Sequence, residues 1–447
     1  MSVPRRLRLD HARILTCDDL SVIEDGCLVV ENDQIAWVGP ANSLPPKFSV
    51  VDEVVDVSGA TVMPGLVDAH MHISFGEAAS EEELSIHTPM AFRAIRASVD
   101  ARKVLDAGVT SACDPGGPRG IATAVRDAIN AGLVIGPRMS AAGRQITTQQ
   151  GVGDTLPTPL GELSTSFGAL VRGVDQIVQE IRDEVKDRVD LIKVAGSGPG
   201  TTEYGAFTLD ELNVAVGEAH RLGRPIAIHA RSRQAVADAV AAGFDWIMHA
   251  SYMDSATLGQ LIEKQIPIIP AMTLLVNSLE AGDGVLPDVI ADAIKRELDA
   301  ATEILTKARI GGATLIAGSE TGFAMTPYGQ WHTRELELFV DRLGFSDHEA
   351  LLSMTKYATC AVPQVGQRVG TLVPGKYADL LVIDGKPDRD VKLLANKRRI
   401  LRVMKGGQFI DRMAPGISRQ PELFERTRLY VHSLYNRPQL AEDSGRR

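Results

Sequence analysis

Cysteine is scarce in this chain of 447 residues, which contains four: Cys17, Cys27, Cys113 and Cys360. They are widely spaced, and none forms a Cys-x-x-Cys pair. Disulfide frameworks and many metal or redox motifs depend on closely spaced cysteines, so this pattern favours reduced, mostly buried thiols. We therefore expect a cytoplasmic protein.

Long apolar runs and positive charge are also in short supply. No stretch approaches the roughly 18 apolar residues of a transmembrane helix. The N-terminal segment MSVPRRLRLDHARIL has basic residues but lacks the apolar core of a signal peptide. Lys and Arg number 47 against 57 Asp and Glu, for a net charge of -10. An acidic surface repels nucleic acid and anionic membranes, which argues against both as partners.

The pattern of apolar residues divides the chain into a middle and two similar ends. Residues 6–60 and 368–412 contain short alternating runs separated by turn residues, which predicts antiparallel strands. Between them, eight apolar runs alternate with amphipathic helical stretches, as in a (β/α)₈ barrel. We predict an α/β protein with a TIM barrel over 62–360 and a small β-sandwich from 1–61 and 361–412. Residues 413–447 are predicted to form a C-terminal helical extension.

Residues able to bind metals cluster at the ends of the predicted barrel strands, where TIM-barrel active sites lie. His70 and His72 follow the first strand two residues apart, a spacing that places both imidazoles on one face. Histidines suit zinc, cobalt, iron or nickel, and a carboxylate adds an oxygen ligand. The complete set of predicted metal ligands is His70, His72, Lys193, His229, His249 and Glu320.

Lys193 fits a metal site only in a modified form, because an ammonium group repels a cation. A neutral lysine amine can capture CO₂ as a carbamate, an anion with two oxygens that can bridge two metals. Buried lysines shift toward the neutral form that this reaction requires. We therefore predict two divalent ions, zinc foremost with cobalt, manganese or iron as alternatives, and an N6-carboxylated Lys193.

The sequence resembles the amidohydrolase superfamily over nearly its whole length. The resemblance rests on VMPGLVDAHMH, the strand-four lysine, the two later histidines and the closing GTLVPGKYADLLVIDG. Within the superfamily, GRQITTQQGVGD and the segment from KVAGSG to PIAIHA are similar to the imidazolonepropionase-like and Xaa-Pro-dipeptidase-like branch. That branch is similar to hydrolases of carbamates, phenylureas and N-acyl aromatic amino acids.

The resemblance implies a role for each predicted ligand. His70 and His72 would bind the more buried metal, His229 and His249 the second, and carboxylated Lys193 would bridge them. Glu320 would contact a metal and act as the general base. A homo-oligomer is also implied by resemblance alone.

The chain departs from the pattern of the superfamily at Glu320, after strand five, and in QQGVGD, where relatives often carry a Gly-Gly-His-Gly loop. Glu320 stands where relatives usually carry Asp, so it reaches the metals differently or favours one ion. Relatives often carry a second histidine after strand five, but this chain reads IHARS, with Arg231 as a predicted carboxylate-binding residue. Tyr204 is the predicted hydrogen-bond donor to the oxyanion. His87, His220, His332 and His348 are predicted to be surface or helix-cap residues.

The predicted function is hydrolysis of an amide-type C–N bond in a small molecule by metal-bound hydroxide, with Glu320 carrying the proton. Amide, dipeptide, carbamate and urea substrates all remain open. One alternative is a mononuclear deaminase, although Ser232 stands where deaminases on this fold typically carry Glu. The other is a catalytically inactive binding protein on the same fold.

Overall fold

The computed structural model describes residues 5–80, 82–154, 156–161, 163, 165–198, 204–282, 286–411 and 437. The predicted C-terminal extension lies outside these ranges apart from Arg437, and so does the side chain of His87. None of the described helices is both long and apolar enough to cross a membrane.

The described chain is an α/β structure, as predicted. Its strands in chain order are β1 (Arg6–Leu15), β2 (Val22–Glu31), β3 (Gln34–Pro40), β4 (Glu53–Asp56), β5 (Ala60–Pro64), β6 (Leu66–Asp68), β7 (Val109–Asp114), β8 (Arg138–Ala141), β9 (Gln145–Thr147), β10 (Gly168–Leu170), β11 (Ile192–Ala195), β12 (Ile226–Ala230), β13 (Trp246–His249), β14 (Ile268–Ile269), β15 (Leu380–Asp384), β16 (Ile400–Lys405) and β17 (Gln408–Phe409).

Helices occupy most of the intervals between the strands of the middle region. The α-helices are α1 (Met90–Asp106), α2 (Ile121–Asn130), α3 (Val174–Lys186), α4 (Leu209–Arg221), α5 (Arg233–Ala242), α6 (Ser255–Glu263), α7 (Thr273–Glu280), α8 (Asp288–Ile310), α9 (Arg334–Leu343) and α10 (Asp347–Ser353). Side chains mark several helix starts: Thr208 and Glu211 form a capping box at α4, and Ser232 caps α5.

The two ends of the chain form one eight-stranded sheet. Its order is β17-β16-β15-β5-β1-β2-β3, and β4 pairs with β1. Alternation along β15 shows why this sheet is stable: Leu380 and Val382 pack into one hydrophobic cluster, whereas Leu381 and Ile383 pack into the other. Sequence analysis predicted antiparallel strands, but β1 pairs in parallel with both β4 and β5.

The middle of the chain contains two sheets of parallel strands. One has the order β6-β7-β8, and the other has the order β10-β9-β11-β12-β13-β14. Backbone hydrogen bonds continue past the sheet edges, from Asp190 N to Ala141 O (2.8 Å) and from Ile316 N to Ile268 O (2.8 Å). The carboxyl ends of β11, β12 and β13 lie side by side, because Ala195 pairs with His229 and Ala230 pairs with His249.

Two of the predicted barrel strands differ in the structure. The third predicted run divides into β8 and β9, which belong to different sheets. Gly143 separates them, and a Cβ there would meet the Glu184 carboxylate at 2.5 Å. The eighth predicted run contributes only a bridge between Leu315 and Ile268, and the left-handed backbone of Glu320 (φ 53°) interrupts extended structure at its end.

One buried ion pair joins the two ends of the chain. Arg13 on β1 donates to both carboxylate oxygens of Asp388 at 2.7 and 2.8 Å, and both side chains are buried. Burial alone would raise the pKa of Asp388, but the hydrogen bonds and the positive charge of Arg13, with smaller contributions from the backbone and His348, together lower it. A carboxylate with a lowered pKa stabilises the fold above its unfolded-state pKa and loses that effect as the pH falls through its folded-state pKa.

We expect Asp388→Asn to lower the free energy of unfolding at pH 7 by about 3 kcal/mol, because it leaves the Arg13 charge buried without this partner. Urea titrations at pH 7 and pH 3 measure this cost, which should shrink at the lower pH. Glu24→Gln is the control, since Glu24 binds the same arginine from an exposed position. Equal effects of the two substitutions would contradict the prediction.

Candidate metal centre

The first two predicted ligands meet just beyond β6. The Nε2 atoms of His70 and His72 lie 3.2 Å apart, and both side chains are buried. Two nitrogens that bind one zinc ion at about 2.0–2.1 Å in tetrahedral geometry are separated by about 3.3 Å. His70, His72 and Glu320 offer ligand atoms that all lie within 4.8 Å of one another. These three residues form the tightest part of the candidate site.

Backbone carbonyls orient the imidazoles. His72 Nδ1 lies 2.7 Å from Gly116 O, and His249 Nδ1 lies 3.2 Å from Pro270 O. A carbonyl oxygen only accepts hydrogen bonds, so each Nδ1 carries a proton, and in the Nδ1-protonated tautomer each Nε2 presents its lone pair. Metal-binding histidines are held in this way by partners on their other nitrogen.

His229 and His249 complete the group of four histidines. The ring centroids of His249 lie 4.5 Å from His229 and 5.6 Å from His70. Among the described residues, Nε2 of His229 and Nε2 of His249 are buried without a hydrogen-bond partner. Burial lowers the pKa of His70, His229 and His249 well below the ordinary value, and nearby positive charges lower it further. The neutral form is the one that binds metals.

Lys193 lies on β11 with its side chain buried in the same region. Burial lowers the pKa of this amine to about 7, and the neighbouring Glu320 carboxylate opposes that shift. Its Nζ contacts the sulfur of Met248, which lies on β13. A thioether is a weak acceptor and does not balance an ammonium charge, so the surroundings favour the neutral amine.

Glu320 supplies the only carboxylate among the predicted ligands. It is buried, and its Oε2 has no hydrogen-bond partner in the described part of the chain. Burial raises its pKa, while the guanidinium of Arg231 partly offsets this effect. The backbone of Glu320 is left-handed, as is that of His249 (φ 73°). Such strain in residues other than glycine is concentrated at functional sites.

This donor set fits divalent metal ions. Neutral imidazole nitrogens and a buried carboxylate converge with lone pairs that the described residues do not satisfy. Buried polar atoms of this kind are costly unless they acquire a partner. The structure places these six residues in one buried region, with His70, His72 and Glu320 closest together, and their roles as ligands stay a prediction.

Comparisons with known proteins identify the family. The model of the amidohydrolase family matches residues 61–410. The chain belongs to the amidohydrolase family. Ochratoxinase from Aspergillus niger is 26% identical over 437 residues, which cover 92% of this chain and 88% of the relative. Imidazolonepropionase from Pseudomonas aeruginosa is 24% identical, with 84% and 91% covered.

Solved structures of amidohydrolases agree with the fold. The crystal structure of A. niger ochratoxinase has a TM-score of 0.81 and 24% identity, and the match covers 91% of this chain and 96% of that one. A prolidase crystallised with N-methylphosphonate-L-proline has a TM-score of 0.79 and 25% identity, with 91% and 100% covered. These matches confirm the resemblance seen in the sequence, including its imidazolonepropionase-like and prolidase-like branch.

The sequence prediction missed the acids that support the ligands of this amidohydrolase. Asp68, at the end of β6, accepts hydrogen bonds from His70 N (3.2 Å), Ser319 N (3.0 Å) and Ser319 Oγ (2.6 Å). Asp114, at the end of β7, accepts from Gly116 N at 3.0 Å and so fixes the carbonyl that orients His72. Asp68 stands inside the motif GLVDAH, but its partners Ser319 and His332 lie far along the sequence, so no local pattern marks its role.

His332 was wrongly predicted to be a surface or cap residue. It is 1% exposed, and its Nδ1 lies 2.8 Å from Asp68 Oδ2. Gly329 N donates to His332 Nε2 at 3.0 Å, so Nδ1 carries the proton and donates to Asp68. The polar loop around PYGQWH gave no periodic signal that would have revealed this burial. His220, in contrast, is a surface residue paired with Asp245, and His348 follows the cap of α10.

The two predicted substrate residues lie in different surroundings. Arg231 is buried at the end of β12, and its Nη1 donates to Glu297 Oε1 at 2.6 Å. Ser251 Oγ donates to the same oxygen at 2.7 Å, so α8 holds the arginine in place. Tyr204 is 37% exposed, and its hydroxyl donates to Gln150 O at 2.8 Å. Both remain predictions as substrate contacts.

We expect His332→Phe to weaken metal binding by about 10–100-fold, the usual effect of removing a residue that supports a ligand. The substitution keeps a ring but removes the donor to Asp68 and the acceptor for Gly329. Chelator competition measures the dissociation constant, with His220→Phe as the matched surface control. Unchanged affinity in a folded variant would show that Asp68 holds the site without His332.

Proposed function

We propose that this amidohydrolase is a metal-dependent hydrolase that cleaves an amide-type C–N bond of a small molecule. The observation that carries the proposal is the convergence of neutral, oriented imidazoles with the buried carboxylate of Glu320. The family supports hydrolysis of C–N bonds, and the donor set supports the dependence on metal.

His70, His72, His229, His249, carboxylated Lys193 and Glu320 would hold two divalent ions, zinc foremost with cobalt, manganese or iron as alternatives. When bound, such ions lower the pKa of water and polarise a carbonyl group. Lys193 suits carboxylation because CO₂ reacts with a neutral amine, and burial lowers the pKa of this amine to about 7.

Glu320 is proposed to accept the proton of the attacking water and to deliver it to the leaving nitrogen. A general base that must also act as an acid works best with a pKa nearer the working pH, and burial raises the pKa of Glu320 in that direction. The longer side chain of Glu, compared with the usual Asp, places this carboxylate within reach of His70 and His72.

Arg231 is proposed to bind a carboxylate on the substrate. Its Nε has no hydrogen-bond partner among the described residues, so the guanidinium retains a donor while Glu297 holds its other side. A relative crystallised with N-methylphosphonate-L-proline is consistent with this assignment, because proline carries a free carboxylate. Tyr204 is proposed to stabilise the oxyanion, for which its hydroxyl would exchange Gln150 O for the substrate.

Nothing in the site favours deamination. Ser232, at the position where deaminases on this fold carry Glu, accepts a hydrogen bond from Ala235 N and caps α5. A serine committed to a helix cap does not replace a carboxylate in proton transfer.

We also propose how the sheets combine into domains. The hydrogen bonds beyond the sheet edges support closure of the two parallel sheets, together with the eighth predicted run, into one (β/α)₈ barrel, and the solved relatives support this arrangement. We also propose that the terminal strands form a β-sandwich and that the protein is a cytoplasmic homo-oligomer.

The first test is metal content per chain in the parent and in Lys193→Ala. We expect about two ions in the parent and a clear loss in the variant, because an anionic lysine would be shared by both ions. Elemental analysis after purification in the presence of bicarbonate measures the ratio. One ion in both proteins would contradict the role of Lys193, and none after reconstitution would contradict the metal-dependent function.

The second test is turnover of a panel that contains an Xaa-Pro dipeptide, an N-acyl amino acid, a carbamate and a phenylurea. We expect hydrolysis of at least one class. Glu320→Gln should lower kcat by about 10²–10⁴-fold, the usual contribution of a general acid–base. Glu320→Asp should retain part of the activity. Equal activity of parent and Glu320→Gln would exclude Glu320 as the proton carrier.

A further inference from the structure

Arg437 makes a dense set of contacts with the segment that leads into α9. Its guanidinium forms an ion pair with Glu337, and its Nη1 lies 3.2 Å from Gln330 O and 3.5 Å from Thr333 Oγ1. Its backbone N donates to Gln330 Oε1 at 2.9 Å, and the guanidinium lies over the Trp331 ring at 4.7 Å. The residue is 4% exposed. Because Arg437 is buried and its guanidinium makes several polar contacts, its side chain is held in a defined position.

The other side of the same segment faces the candidate metal centre. The Tyr328 hydroxyl donates to the carbonyl of His72. Gly329 N fixes the tautomer of His332, which in turn donates to Asp68, the acceptor for His70 N. The segment 328–333 therefore lies between Arg437 and the two histidines.

We propose that Arg437 is a positioning residue that clamps segment 328–333 against the candidate metal centre. The clamp is defined by Arg437 with Gln330, Trp331, Thr333 and Glu337. It stands independently of the proposed function. Only its effect on metal binding rests on that function.

The chemistry of the clamp requires arginine. Glu337 also accepts from Arg334 Nη1 at 2.6 Å, so the carboxylate keeps one partner when Arg437 is replaced. Lysine would keep the charge opposite Glu337 but not the planar fork that reaches several acceptors at once. Comparing the parent with Arg437→Lys and Arg437→Gln therefore separates the effect of the positive charge from that of the guanidinium geometry.

The test measures hydrogen exchange of the full-length, metal-free chain. In Arg437→Gln we expect the backbone amides of 328–333 to exchange about tenfold faster, because a hydrogen bond to a charged group contributes roughly one tenfold step or more. Arg437→Lys should give an intermediate rate. Arg342→Gln is the control, since Arg342 is an exposed arginine on the same helix as Glu337. Parent-like exchange in Arg437→Gln would overturn the clamp.

A second measurement connects the clamp to the site, with cobalt(II) alone as the probe. Arg437→Gln should weaken cobalt binding and alter its visible absorption, and Arg437→Lys should restore part of both. Faster exchange with unchanged cobalt binding would overturn the connection to the site. A parent that binds no cobalt would overturn the metal-dependent function, while the exchange rates would still decide the clamp. Should Arg437→Gln fail to fold, Glu337→Gln breaks the same ion pair from the other side.

Discussion

The site depends above all on the buried carboxylate of Asp68. It receives four donors: His70 N, Ser319 N, Ser319 Oγ and His332 Nδ1. Asp68 and Ser319 are 251 residues apart in the sequence, so this one side chain joins the first and the last strand ends of the barrel region. A carboxylate that accepts several hydrogen bonds is strongly held, because each donor compensates part of its desolvation. This connection fixes the backbone next to two candidate ligands, because His70 lies two residues after Asp68 and Glu320 directly follows Ser319.

Strong support of this kind is needed because the strand ends are strained. Non-glycine residues adopt left-handed backbone at His249, Ala250, Ala271 and Glu320, which are the ends of the sixth, seventh and eighth strand positions. Each such residue costs on the order of 1–3 kcal/mol and persists only where the surrounding structure compensates for it. Here the compensation comes from contacts such as Glu320 N to His70 O at 2.7 Å.

Much of the fold and of the candidate site could be predicted from the sequence. Apolar residues alternate at the two ends of the chain and follow a strand–helix pattern in the middle. Each spacing reflects which face of a strand or helix is buried, so the sequence separated the terminal sheet from the α/β middle. The ligand types at strand ends identified the six central residues. The supporting residues could not be found in the same way: Asp68 and His332 meet only in three dimensions, and the left-handed residues have no signal in composition. The shortened eighth strand was missed for the same reason.

The charge balance around Arg231 explains how an arginine can stand beside a proposed metal centre. A free guanidinium would repel the cations and disfavour their binding. The fully buried Glu297 lies 2.6 Å from Arg231 and is held by Ser251, so its carboxylate offsets part of the guanidinium charge. The guanidinium nevertheless keeps its directional donors. Arg231 can therefore serve the proposed binding of a substrate carboxylate only two residues from His229, one of the proposed metal ligands. Glu297, contributed by α8, therefore belongs to the electrostatic surroundings of the site although it is not a candidate ligand.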